Sequence, residues 1–207
     1  GASYMDMALS GDSRTAHQVD PVAWGVRQVP PPYSYRCPFG SDNAVDCGRR
    51  AAAAVADCID VEGVDRVAAV LMEPNAGSNG IVAPENYWPL LRAKTRERGI
   101  WLIADEVMSA FGRCGEWFAW QRHGEEGRPD LMTLAKGLTS ASVPLGAVVM
   151  SAEIARRIDQ QMFYSGLTYC GHPLACAVGL AAIDTYRDEK LIERSRNTRL
   201  RWTGHLE

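Results

Sequence analysis

Four short, nearly continuous apolar runs recur along this chain, each followed or preceded by a stretch with helical spacing. The runs are Val67-Ala-Ala-Val-Leu-Met72, Ile100-Trp-Leu-Ile-Ala104, Leu131-Met-Thr-Leu134 and Gly146-Ala-Val-Val-Met150. Runs this short and this apolar read as strands buried on both faces. Between them the period changes. Asp46 to about Ile59 carries Ala51, Val55 and Cys58/Ile59 on one helical face. Pro84 to Arg98 has a proline near its start, Tyr87, Leu90 and Leu91 on one side, and Gly99 as a stop. Ser151 caps a helix running to about Met162, and Pro173 opens a last Ala- and Gly-rich helix through Tyr186. Residues 1–43 read as irregular, with Pro30-Pro31-Pro32 forcing an extended segment before Tyr33 and Tyr35. Strands alternating with helices predict an α/β fold, a parallel or mostly parallel sheet flanked by helices on both sides.

Composition narrows the function classes. The 207 residues suit one domain, and 46% hydrophobic residues can fill a core. A net charge of −3 gives no basic field for nucleic acid. No apolar run approaches the ~18 residues of a membrane span, and the opening Gly-Ala-Ser-Tyr-Met-Asp-Met has no signal-peptide pattern. Cys37, Cys47, Cys58, Cys114, Cys170 and Cys176 form no C-x-x-C and have irregular gaps, so free, mostly buried thiols in a reducing cytoplasm are expected. The chain opens without Met and closes just after a helix-like pattern, so both ends read as cuts through a larger protein.

Open α/β sheets bind ligands past the carboxyl ends of their strands. Glu73 follows the first strand, Asp105-Glu106 the second, Lys136 the third, and Thr168 lies in a Gly-containing loop before the last helix. Each alone has an ordinary reading: a carboxylate there is commonly a helix cap, a lysine commonly solvated. The flanks suggest more. Small and apolar neighbours in Leu134-Ala-Lys-Gly-Leu138 would desolvate an amine and lower its pKa, as a Schiff-base lysine requires. Asp105, directly after an apolar strand, would be partly buried and in need of a cationic partner, such as a protonated pyridine nitrogen.

The blocks containing these residues resemble the class-III (ω-amino acid) aminotransferases of pyridoxal-phosphate (PLP) fold type I. They are Ile103-Ala-Asp-Glu-Val-Met-Ser-Ala-Phe-Gly-Arg113, Pro129-Asp-Leu-Met-Thr-Leu-Ala-Lys-Gly-Leu138 with Pro144-Leu-Gly-Ala-Val, Ser165-Gly-Leu-Thr-Tyr-Cys-Gly-His-Pro173, and Glu73-Pro-Asn-Ala-Gly-Ser-Asn-Gly80. The opening Ala8-Leu-Ser-Gly-Asp-Ser-Arg14 resembles the stretch that follows the family's aromatic-His-Gly motif.

The resemblance implies roles. Lys136 would hold PLP as a Schiff base and then act as general base and acid. Asp105 would pair with the pyridinium nitrogen, and Val107 would pack on one ring face. Thr168 would reach the phosphate in a neighbouring subunit, implying a homodimer. Glu73 would sit near the substrate or help an arginine switch between two substrates. Glu106 and Arg113 are structural on this reading. The family's enzymes are longer: a phosphate-binding loop is expected before residue 1 and a small domain after residue 207, which makes residues 1–207 part of the PLP-binding large domain. Such a piece alone is expected to bind PLP weakly and turn over little. The implied reaction is transamination between an ω-amine or β-amino acid donor and a keto acid such as pyruvate. Ser78-Asn79-Gly80 and Tyr33-Ser-Tyr-Arg36 lean toward the branch using taurine or β-alanine. A PLP-dependent aminomutase, racemase or decarboxylase, and a catalytically incomplete subunit, remain open alternatives.

Overall fold

The computed structural model describes residues 3–12 and 24–203. Ser13 and Arg14 of the opening block, and residues 204–207, lie outside the described residues. In chain order the regular elements are α1 (Tyr4–Leu9), α2 (Ala44–Glu62), β1 (Ala69–Met72), β2 (Asn75–Ala76), β3 (Ile81–Val82), α3 (Tyr87–Glu97), β4 (Trp101–Asp105), β5 (Leu131–Leu134), β6 (Ala147–Met150), α4 (Ala152–Asp159), α5 (Pro173–Asp188) and α6 (Leu191–Thr203).

Local chemistry explains the two helices that build the core. Asn43 caps α2 by accepting the Asp46 N–H at 2.8 Å. Asp46 in the first turn favours the helix dipole and pairs with Arg49 and Arg50 one turn on. The buried stripe of α2 is Cys47, Ala51, Ala52, Val55, Ala56 and Ile59. α3 buries Tyr87, Trp88, Leu91 and Thr95, and Gly99 at φ 67° lets the chain leave it in the left-handed region. Trp88 fills the centre and donates its indole N–H to the Gly127 carbonyl at 2.7 Å.

The main sheet has the order β1-β4-β5-β6. β1 and β5 run parallel to β4, whereas β6 runs antiparallel to β5. The architecture is therefore the mixed, mostly parallel sheet with flanking helices that the sequence predicts. β2 and β3 form a separate small hairpin.

Several expectations need correction. The strands are not buried on both faces. β4 alternates, with Leu102 and Ala104 fully buried against the α2–α3 layer and Trp101, Ile103 and Asp105 half-buried. Leu71 of β1 and Val148 and Val149 of β6 are exposed, because the described residues fill only one face of the sheet well. The irregular N-terminal stretch contains α1, capped by Ser3, and the helix predicted to run to Met162 ends at Asp159. α5 is not the last helix, since α6 follows it. The cysteines are free but mostly not buried: only Cys47 is, and Cys170 and Cys176 are exposed.

Asp130, just ahead of β5, ties the layers together. Its carboxylate accepts two N–H groups of Arg92 on α3, at 2.6 and 2.9 Å, and the Leu102 N–H of β4 at 2.8 Å. Its own N–H donates to the Leu102 carbonyl, and its carbonyl accepts the Ser151 N–H. Both side chains of the pair are nearly buried. Breaking such a pair leaves an uncompensated charge inside. Asp130→Ala should therefore lower unfolding stability by about 3–5 kcal/mol in a denaturant titration, with partial recovery in Asp130→Ala/Arg92→Met. A loss below about 1 kcal/mol would show that the pair is not holding the layers.

Candidate active site

The parallel strands deliver their carboxyl ends to one edge of the sheet. Asp105 closes β4, and Lys136 lies two residues beyond β5. Glu73 follows β1 directly. Burial raises the Glu73 pKa, the Asp105 charge raises it further, and the Gly77 N–H and the Lys136 charge oppose that rise. Glu73 thus lies within electrostatic reach of both Asp105 and Lys136.

Asp105 is half-buried, as expected. One oxygen accepts the Val107 N–H at 3.0 Å. Among the described residues the other oxygen takes no hydrogen bond and the carboxylate has no ion-pair partner. Glu106 behind it is fully buried, and the structural reading of it holds. Its carboxylate accepts from the Ser109 hydroxyl and from the backbone N–H groups of Ala119 and Trp120, both at 3.0 Å. Desolvation raises its pKa against these three donors. Glu106 thereby pins the turn after β4 to the 3₁₀ helix Ala119–His123 and fixes the direction in which Asp105 and Val107 leave the strand.

Lys136 differs from expectation. Its side chain is exposed, so the flanking apolar residues do not desolvate it in this chain. The cause is backbone geometry. Lys136 has φ 43° and opens a 3₁₀ turn, Lys136–Thr139, which swings it outward while Leu134, Leu138 and Thr139 turn inward. Phe111, Ser140 and Ala141 also sit in the left-handed region, at φ 56°, 50° and 62°. Non-glycine residues held there store backbone strain, which clusters at functional sites.

An aromatic clamp that the sequence reading missed holds this turn. Tyr186 of α5 donates its hydroxyl to the Gly137 carbonyl at 2.9 Å and bonds the Ser140 hydroxyl at 3.1 Å. Its ring stacks on Phe111, with centroids 5.7 Å apart and planes at 22°, and meets Trp117 edge-on at 6.0 Å. Gly137 is required here: a Cβ would fall 2.9 Å from Phe111. The aromatic spacing in Phe111 to Trp117 carried no recognisable signal, and Tyr186 read only as the end of a helix.

A cleft of about 310 Å³ opens beside the turn, lined by Val107, Met108, Phe111, Lys136, Gly137 and Tyr186 among others. That volume is at the low end of the ~300–1,000 Å³ of ligand sites. Met108 also touches the loop after Glu73, where a Cβ on Gly77 would fall 2.7 Å from its own. Arg113 is exposed and lines the same cleft. Thr168 is not brought to the site. It is exposed, and no described hydrogen bond or ring contact joins it to Lys136, Asp105 or Glu73.

Comparison with known proteins gives this geometry a family. The model for "Aminotransferase class-III" matches residues 1–207. The chain belongs to the class-III aminotransferases. It is 41% identical to the putrescine–pyruvate aminotransferase of Pseudomonas aeruginosa over 94% of its length and 42% of that protein's. Against γ-aminobutyrate transaminase 1 of Solanum lycopersicum it is 35% identical, covering 94% of this chain and 38% of the relative. Among solved structures it superposes on a PLP-bound amine transaminase from an uncultivated Pseudomonas species, with TM-score 0.87, 32% identity, and coverage of 93% of this chain and 44% of that one. The class-III chain described here thus spans about two-fifths of the length of the curated relatives it matches.

If the Tyr186 hydroxyl holds the lysine turn, Tyr186→Phe should leave the β4 amides protected and speed exchange of the Leu138 and Ser140 amides several-fold. A lost hydrogen bond of about 1 kcal/mol corresponds to roughly fivefold. Unchanged exchange at those amides would remove Tyr186 from the clamp.

Proposed function

We propose that residues 1–207 are part of the cofactor-binding large domain of a PLP-dependent aminotransferase, with Lys136 as the Schiff-base lysine. The observation that carries this reading is the gathering of Lys136, Asp105 and Glu73 at the carboxyl ends of adjacent parallel strands. The residues present fit the cofactor. A half-buried carboxylate without a cationic partner, as Asp105 is, suits a protonated ring nitrogen. An accessible amine on a clamped turn suits a carbonyl carbon.

When bound, PLP supplies an electron sink for the charge left when a proton leaves the substrate carbon. Asp105 would keep the ring nitrogen protonated through its unbonded oxygen. Val107, half-buried and in the cleft wall, would limit ring movement on one face. Lys136 Nζ, released by the incoming amine, would accept a proton and return it as general base and acid. Glu73 would face the substrate end of the site. Relatives named for putrescine, γ-aminobutyrate and pyruvate support an ω-amine or β-amino acid donor and a keto-acid acceptor of the pyruvate type.

We place Thr168 in a neighbouring copy's phosphate site, which makes the active form a homodimer. Support comes from its surroundings: Met162, Phe163, Tyr164, Leu167 and Tyr169 are all exposed, a density of apolar surface that soluble chains normally cover. We assign the protein to the cytoplasm, in keeping with six free thiols. Among the described residues no helix is long and apolar enough to cross a membrane.

With PLP added, the whole enzyme that carries residues 1–207 should develop a visible Schiff-base absorbance that borohydride abolishes, and its Lys136→Ala variant should not. Asp105→Asn should keep the absorbance and lose at least ~100-fold in the rate of proton transfer, the scale of an acid–base or electrostatic contribution. The same absorbance in Lys136→Ala would refute the assignment of the lysine. Amine consumption should require a keto acid; consumption without one would point to a decarboxylase or mutase. For the dimer, Tyr164→Asp/Leu167→Asp should shift sedimentation toward the monomer, and a monomeric wild type would end that reading.

A further inference from the structure

Thr133 of β5 carries a hydroxyl that the fold leaves unused. Its Oγ1 is buried and has no hydrogen-bond partner among the described residues. A buried hydroxyl without a partner forfeits the bonds it made in water, so it calls for a reason. The backbone of the residue is fully engaged. Its carbonyl accepts the Glu106 N–H at 3.0 Å, and it pairs with both β4 and β6.

The register shows what the hydroxyl can reach. Thr133 is level with Asp105 of β4 on one side and with Val148 of β6 on the other. Residues level with one another in neighbouring strands project to the same face, and the strands lie ~5 Å apart. The Val148 side chain offers no polar atom. Asp105 does: one of its oxygens accepts the Val107 N–H at 3.0 Å, and the other accepts nothing among the described residues. The β1 flank of Asp105 is different. Glu73 stands one residue past Met72, which pairs with Ala104, and so lies level with Asp105. It is a carboxylate, and the Asp105 charge acts to raise its pKa. Asp105 therefore has a like charge on its β1 side and an unused donor on its β5 side.

We propose that Thr133 is a positioning residue for Asp105: with PLP bound, its hydroxyl donates to the Asp105 carboxylate and fixes the plane in which that carboxylate meets the ring nitrogen. This role takes Asp105 as the partner of that nitrogen and so rests on the proposed function. A carboxylate held at one oxygen by one N–H can pivot about that bond, and a second donor on a neighbouring strand stops the pivot. A carboxylate has about four acceptor sites, so the hydroxyl and a ring N–H can share it. Thr133 suits the task because its side chain is short and stiff, and rotation about χ1 alone carries Oγ1 from one staggered position to the next.

The test uses the whole enzyme that carries residues 1–207, with Thr133→Val and Thr133→Ser. Valine keeps the shape and removes the hydroxyl, whereas serine keeps the hydroxyl. Without PLP, Thr133→Val should leave the urea unfolding midpoint unchanged or raised, because it removes an unpaired buried group. With PLP, followed by the borohydride-sensitive absorbance, the same variant should bind the cofactor at least ~5-fold more weakly, as loss of a hydrogen bond to a charged group requires. Thr133→Ser should keep wild-type affinity within ~2-fold. In an Asp105→Ala background, Thr133→Val should cost less than ~2-fold. A lowered midpoint without PLP would show that the hydroxyl already serves the fold, and overturns the proposal. So does a smaller loss of affinity in Thr133→Val, an equal loss in Thr133→Ser, or an undiminished loss in the Asp105→Ala background. Tight PLP binding that Thr133→Val retains removes Thr133 alone. A wild type without the absorbance removes the assignments of Lys136 and Asp105 along with it.

Discussion

The buried Arg92–Asp130 pair sets where everything else can stand. Asp130 bonds both the side chain of α3 and the backbone of β4 immediately before β5 begins. It therefore fixes how far β5 is shifted along β4. The resulting register sets Asp105 beside Thr133. Lys136 is three residues farther on, about 10 Å of extended chain at ~3.3 Å per residue. A carboxylate at the strand end and an amine just past the neighbouring one are thus spaced by a charge pair that touches neither.

A second layer of constraint acts on direction. The strands alone would leave the turn after Asp105 and the segment carrying Lys136 as free loops. Glu106 removes that freedom on one side by capping two backbone amides from a distant segment, and Tyr186 removes it on the other by bonding a carbonyl within the lysine turn. Both devices spend buried polar groups on geometry. Glu106 is a carboxylate with a raised pKa inside a protein, which stability alone would not favour. Its three donors offset that cost and leave a rigid exit from β4.

The sequence disclosed the strands, their order of appearance and the candidate lysine and carboxylates, because a run of apolar residues and a residue after it are local facts. Face-by-face burial was not legible. Whether Leu71 or Val148 is covered depends on what lies across the sheet, and an apolar run looks the same either way. The exposure of Lys136 was equally hidden. Its neighbours are apolar, but a left-handed φ at one residue sends Leu134 and Leu138 one way and the amine the other. The antiparallel direction of β6 could not be read because strand direction depends on the path of the connecting loop. Tyr186 and Phe111 lie 75 positions apart and meet only through the fold.

The reversal of β6 has a mechanical consequence. Leu134 and Ala147 are paired across the sheet, so the segment carrying Lys136 leaves and rejoins the same ladder at adjacent points. It is a handle with both feet welded to the sheet. Lys136 stands two residues from the β5 foot, so its main chain stays near the sheet edge that carries Asp105, and the slack of the segment lies in the longer stretch that returns to Ala147.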